Sequence, residues 1–154
     1  MKNDIVIKIL NYIDNNLYTK ISMEELSNIC YFNKDYIMRT FKKTLNITII
    51  EYINKKRVFN SLESLEKTND LILKIAIEHG FTSQEYYTEI FIKYLEVNPH
   101  TYRKFIRRDS NIEEKDIDNI RKNITNIKYQ LDEIDKYKNI ISPKETIKKL
   151  SIFK

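Results

Sequence analysis

Helix breakers are scarce in this chain of 154 residues, which has one glycine, two prolines, a single cysteine and no tryptophan. With so few breaks and little strand-like alternation, the chain is expected to be all-α. Cys30 stands alone, which excludes an intrachain disulfide and a cysteine-based zinc site. No apolar run approaches the ~20 residues needed to span a bilayer. The N-terminus lacks the charged-then-apolar pattern of a secretory leader. These absences point to the cytoplasm. His79 and His100 have no partners at metal-ligand spacing, and neither has a Ser or Cys arranged around it as a nucleophile. No metal, cofactor or catalytic constellation is expected, and the chain is not expected to be an enzyme.

What is present is a modest basic excess and a repeat. The formal net charge is +5. Residues 1–108 hold 17 Lys/Arg against 13 Asp/Glu, whereas residues 109–154 hold 10 against 9, so the excess lies in the first part. It suits phosphate contact without deciding for it. The repeat is more specific. Leu26-Ser27-Asn28-Ile29-Cys30-Tyr31-Phe32, then Phe41-Lys42-Lys43 and Tyr52, is matched by Ile75-Ala76-Ile77-Glu78-His79-Gly80-Phe81, then Phe91-Ile92-Lys93 and Tyr102. Equivalent positions lie 49 or 50 residues apart. A fixed period in otherwise unlike sequence indicates one helix-turn-helix unit used twice, and two such units can enter successive major-groove segments of one duplex.

The helices can be placed from their caps. Apolar residues Ile5, Ile7, Leu10, Ile13 and Leu17 predict an opening helix over 3–17. Ser22-Met23-Glu24-Glu25 is a capping box, with Glu25 reaching back to the cap. Asn33 caps a helix carrying Ile37, Phe41 and Leu45 inward, and Asn46 is its left-handed stop. Thr48 opens a long helix to about Leu65. Asp70 is expected to cap the next helix, Thr82 or Ser83 the one after, and Gly80 to take a positive φ in the second turn. Pro99 suits the first position of a short helix through Arg107. Cys30, Ile37, Phe41, Phe81, Tyr87 and Phe91 are expected in the core. This divides residues 1–108 into a subdomain at about 3–47, a linker helix at 48–66 and a second subdomain at about 70–108.

Beyond residue 108 the pattern changes. Ile117, Ile124 and Leu131 fall seven apart, as do Ile120, Ile127, Ile134 and Ile141. These are a and d positions of about three heptads, predicting one helix over 112–141. Ser142-Pro143 would end it before the basic tail Lys144–Lys154. Such a stripe must be buried. The preferred expectation is a homodimer seam made by Ile117, Ile120, Ile124, Ile127, Leu131 and Ile134. The alternative is packing back onto the chain's own domain.

Residues Ile21 to Leu26, Phe32, Arg39-Thr40-Phe41-Lys42-Lys43, Tyr52-Ile53 and Arg57 resemble the first half of the AraC/XylS-type DNA-binding domain. Ile75-Ala76, Gly80-Phe81, Phe91, Pro99 and Tyr102-Arg103 resemble its second half, with Val97 and Pro99-His100 closest to the MarA/SoxS/Rob-like members. The resemblance covers about residues 3–106. It implies seven helices, two helix-turn-helix subdomains joined by a long helix, and a bacterial transcription regulator, usually an activator, that contacts double-stranded DNA and RNA polymerase. It also implies that Lys34, Asp35, Met38 and Arg39 face bases or nearby backbone. Lys42 and Lys43 are expected to hold phosphates, the alternative being that they simply keep the helix soluble. Arg39 is the strongest candidate, because a guanidinium can pair with guanine O6 and N7.

In the second copy, Ser83, Gln84 and Tyr86 are the candidate contacts. Glu89 stands where the resemblance calls for Arg, and Ile92 where it calls for Lys. Residues 33–45 carry four basic side chains and one Asp, whereas 83–95 carry one Lys and two Glu. A carboxylate repels phosphate, so the first unit is expected to supply most of the affinity. A competing reading is an interaction protein that has lost specific DNA binding and uses its C-terminal helix to capture a regulator or polymerase subunit.

Overall fold

The computed structural model describes residues 2–108 and 111–141, and within them every regular element is an α-helix. They are α1 (Lys2–Asn15), α2 (Met23–Cys30), α3 (Lys34–Leu45), α4 (Ile49–Lys67), α5 (Ile72–Glu78), α6 (Gln84–Leu95), α7 (Pro99–Arg107) and α8 (Glu114–Ile141). Helices α1, α2 and α3 pack together, α5, α6 and α7 gather around the second half of the chain, and α4 touches members of both groups. No helix among the described residues is long and apolar enough to cross a membrane. Ser142-Pro143 and the basic tail lie outside the described residues.

Local chemistry fixes most helix ends. Asn33, Thr48, Ser83 and Asn98 each accept a bond from the backbone N–H three residues on, which satisfies one of the orphan donors of a first turn. Asn46 ends α3 in the left-handed region, and Glu96 does the same for α6, 50 residues later. Two caps differ from expectation. Ser22 does cap α2, but the Glu25 carboxylate accepts from the Tyr12 hydroxyl at 2.6 Å instead of folding back. Asp70 pairs with Lys74, and the cap of α5 is Leu71, which makes no side-chain bond.

The core is built from the expected residues. Cys30, Ile37, Phe41, Phe81, Tyr87 and Phe91 are all buried. Phe81, Tyr87, Phe91 and Tyr102 form a chain of ring contacts with centroids 5.0–5.7 Å apart. Phe32, the counterpart of Phe81, lies partly in solvent and stacks on Tyr36.

The heptad stripe is largely buried within the single chain. Ile120, Ile127, Leu131 and Ile134 are sealed against the protein's own domain, where α8 touches α1, α4 and α6. Ile124 is half-buried there and Ile117 is half-exposed. Within the single chain the stripe thus packs as the alternative expectation has it, back onto its own domain. The a/d side chains that a partner would need are already used, because the apolar faces of α1, α4 and α6 lie within reach of the same stripe.

Polar contacts accompany this packing. Lys138, seven residues after Leu131 and so a charge at the next a position of the heptad pattern, places its ammonium 3.1 Å from Asp14. Asp14 also receives Lys56 at 2.6 Å and the Tyr52 hydroxyl at 2.8 Å. Burial alone would raise the Asp14 pKa, but Lys56 first, then Tyr52 and Lys138, hold it below the ordinary 3.8. Its neighbour Asp135 is pushed up, mainly by burial and further by the Asp14 charge. A depressed carboxylate contributes stability above its unfolded pKa and loses it as pH falls through the folded value. Asp135 has the opposite sign and protonates first. Asp14's contribution should thus survive mild acid and disappear only below pH 3.8. Urea midpoints measured from neutral pH downward should fall steeply in that window. Asp14→Asn should be less stable at neutral pH and show a shallower acid limb. An unchanged acid limb in that variant would assign the fall to other carboxylates.

Candidate nucleic-acid interface

Helix α3 turns Ile37, Thr40 and Phe41 inward, and this alternation forces Lys34, Asp35, Met38, Arg39, Lys42 and Lys43 outward onto one exposed ridge. Lys34 pairs at the surface with Glu24 at 3.2 Å. Arg39 makes no ion pair with Asp35. Its Nε donates to the Asp35 backbone carbonyl at 3.3 Å, which leaves the terminal nitrogens of the guanidinium for an incoming acceptor. Lys42 donates to the carbonyl of Asn46 at 3.3 Å.

Beside this ridge lies a hollow of about 530 Å³, floored by Met23, Ile49 and Ile50 and rimmed by Met38, Arg39, Lys42 and Lys43. A second hollow of about 270 Å³ shares Met23 and Ile50 and continues over Ile53, Asn54 and Arg57 to Tyr86 on α6. The two make one continuous face running from α3 across α4 to the first turn of α6. On α4, Ile50, Ile53, Asn54 and Arg57 line that face. Lys55, which donates to Gln130 of α8, and Phe59, which shares a cleft with Ile124 of α8, lie about half a helical turn away. Helix α8 therefore covers the back of α4 and leaves the side between α3 and α6 open.

Helix α6 repeats the geometry of α3 with different chemistry. Gln84, Glu85, Glu89, Ile92 and Lys93 are exposed, while Tyr87, Ile90, Phe91 and Leu95 are buried. Neither Glu85 nor Glu89 has a cation within ion-pair distance among the described residues, so both carboxylates stand uncompensated on the outer face. The Ser83 hydroxyl accepts the cap bond from the Tyr86 N–H and keeps its O–H donor. Tyr86 is half-buried: its hydroxyl accepts from Asn54 at 3.0 Å and its ring meets Phe81. It points toward α4, unlike the open Gln84.

The junction of the two halves was not among the expected site residues. Arg57 is buried and donates to the carbonyls of Leu17 and Thr19, both at 2.7 Å. Ser61 bonds the Tyr87 hydroxyl at 2.7 Å. Gly80 sits against this junction with φ +88°. The available signal was a run of polar residues on the inward side of a long helix, where an apolar stripe would be the default. A cleft of about 780 Å³ farther along α4 is lined by Tyr18, Phe59, His79, Tyr102 and Ile124. Two of its tyrosine hydroxyls are matched, Tyr18 with Asn60 and Tyr102 with Glu66. No group of three or more His, Cys, Asp or Glu placed to hold a metal ion occurs among the described residues.

Comparison with known proteins bears on this face. A family model described as a helix-turn-helix domain matches residues 26–104. The uncharacterized HTH-type transcriptional regulator YbfP of Bacillus subtilis (strain 168) is 34% identical over 101 residues, which are 66% of this chain and 34% of YbfP. The chain thus spans about a third of that relative. The multiple antibiotic resistance protein MarA of Escherichia coli (strain K12) is 34% identical over 95 residues, 62% of this chain and 75% of MarA. Among solved structures, the C-terminal domain of AraT, a response regulator from Geobacillus stearothermophilus, superimposes with a TM-score of 0.61 at 28% identity, covering 71% of this chain and 88% of that one. The family match ends at residue 104, before α8 begins.

Proposed function

Since the chain belongs to the AraC-type helix-turn-helix family of DNA-binding transcription regulators, we propose that it binds one asymmetric duplex site as a single chain, with α3 as the principal reader. The observation that carries this is the ridge of Lys34, Met38, Arg39, Lys42 and Lys43, exposed beside an open face that α8 leaves uncovered. Arg39 supplies base discrimination and Lys42 and Lys43 hold phosphates, which position without specifying. Helix α6 enters the neighbouring groove segment through Ser83 and Gln84 but adds little affinity, because Glu85 and Glu89 face the phosphate charge. Bound at a promoter, the protein activates transcription by direct contact with RNA polymerase, in the cytoplasm where its DNA lies. The covered heptad stripe favours a single chain over a dimer.

Selection of bound sequences from random duplex DNA, followed by titration of the selected site over a salt series, tests the proposal. One asymmetric site with a steep fall of affinity with salt is expected. Two symmetric half-sites would restore the dimer, and no enrichment by folded protein would favour an interaction protein instead. The charge argument has its own test. Glu89→Arg should tighten binding to the selected site by about tenfold at low salt and steepen the log–log salt slope by about 0.9. An unchanged slope would mean that α6 does not approach the duplex.

A further inference from the structure

Helix α8 does more than bury its stripe, because its polar side chains reach both halves of the reading unit. Near its start, Asn119 donates to the Glu96 carboxylate at 2.7 Å, and Asn123 donates to the Leu95 carbonyl at 3.2 Å. These are the last residue of α6 and its left-handed cap. Midway, Gln130 accepts from Lys55 of α4 at 2.6 Å. Near its end, Tyr137 donates to Asn3 at 2.8 Å and Lys138 pairs with Asp14, at the two ends of α1. Helix α1 in turn packs on α3. Ile120, Ile127, Leu131 and Ile134 fill the space along this path.

We infer that α8 is a brace on the side of α4 away from DNA, and that it fixes the separation and orientation of α3 and α6 before the duplex arrives, with Asn119, Asn123 and Lys138 as positioning residues. The physical need follows from the acidity of α6. A reader that gains little from phosphate adds to binding only if ordering it costs little, and holding it in place beforehand removes that cost. A second α-helical contact behind α4 does this without occupying the reading face. The inference rests on the DNA reading for its purpose alone, since the brace itself can be measured with no DNA present.

The full chain with Cys30→Ala, Thr44→Cys and Lys93→Cys, spin-labelled at the two introduced thiols, reports the distance between α3 and α6 by double electron–electron resonance. With α8 intact, one narrow distribution is expected, unchanged when the selected duplex is added. Asn119→Ala, Asn123→Ala and Lys138→Ala together, or Ile127→Asp where the protein still folds by circular dichroism, should broaden it. Duplex should then narrow it again. In unlabelled protein, the triple variant should bind the selected duplex roughly three- to tenfold more weakly with an unchanged salt slope, the mark of lost preorganisation instead of lost contacts. A distribution equally narrow in the folded variants would overturn the brace, because α4 alone would then set the geometry. A broad distribution in the intact chain would overturn it as well. Absence of DNA binding together with a narrow, α8-dependent distance would sink the functional proposal and leave the brace standing.

Discussion

Arg39→Ala should weaken binding to the selected duplex by about tenfold to a hundredfold, the scale of one bidentate base contact worth roughly 1–3 kcal/mol. The geometry supports a large effect. Arg39 lies on the exposed ridge of α3, and among the described residues its guanidinium bonds through Nε to a backbone carbonyl. The outer edge of the guanidinium is thus held facing outward and free to form a fork. Removing it leaves the fold intact, since no buried partner loses a bond. The loss should be uneven across sequences, greatest where the selected site has guanine opposite α3. Lys43→Ala is the contrast: with the phosphate role proposed for Lys43, it should weaken all sequences alike and lower the salt slope by about 0.9. Titrating both variants against the selected site and its single-base changes separates the two roles. Equal loss on every sequence for Arg39→Ala would place Arg39 on phosphate and move discrimination to Met38.

The largest effect on stability is expected from Gly80→Ala. Gly80 has φ +88°, where a side chain is strained whatever the space. Space is lacking too. An added Cβ would lie 2.8 Å from Arg57 Nε, 2.9 Å from the Leu17 carbonyl oxygen and 3.0 Å from Tyr18 Cα. The first two are the donor and acceptor of a 2.7 Å bond, so the methyl would press on the link between α4 and the segment after α1. Left-handed strain alone costs roughly 1–2 kcal/mol. With a buried guanidinium bond disturbed, the total should reach about 3–5 kcal/mol. For a chain of this size that lowers Tm by about 10 °C. Thermal unfolding followed by circular dichroism measures it. A drop of only a degree or two would mean that Arg57 and the loop can move aside without loss.

Much of this was legible in the sequence because it is local. Asn33, Thr48 and Ser83 cap the helices expected of them, Pro99 opens α7, and Gly80 has its positive φ. The repeat anticipated that Ile37 and Tyr87, Phe41 and Phe91 would point inward at equivalent places. What was not legible depends on distant partners. A heptad stripe has the same spacing whether it meets a second chain or its own domain, so Ile127 and Leu131 could not reveal which surface covers them. Lys138, an interruption in the seam, finds its purpose only with Asp14 beside it. Glu25 prefers the Tyr12 hydroxyl, 13 residues away, to its own cap, and the Tyr86 hydroxyl accepts from Asn54, 32 residues back. In the site, the exposed ridge followed from the periodicity of α3. The buried Arg57 junction depended on carbonyls of a loop whose position no pattern announces.

The contacts of α8 also set an order in time. Tyr137 meets a residue 134 positions earlier, and Lys138 one 124 positions earlier. On a ribosome adding about 5–20 residues per second, α1 waits on the order of 6–25 s after leaving the tunnel for the helix that will cover it. Both reading helices are made before then. During that interval the nascent chain carries an uncovered apolar track along α1, α4 and α6, the track destined for Ile127, Leu131 and Ile134. Neighbouring ribosomes on one message hold identical tracks and, slightly ahead, identical helices to fill them. Crowded synthesis therefore sets the chain's own late helix in competition with that of its neighbour, and exchange between copies is an error to which this architecture is exposed.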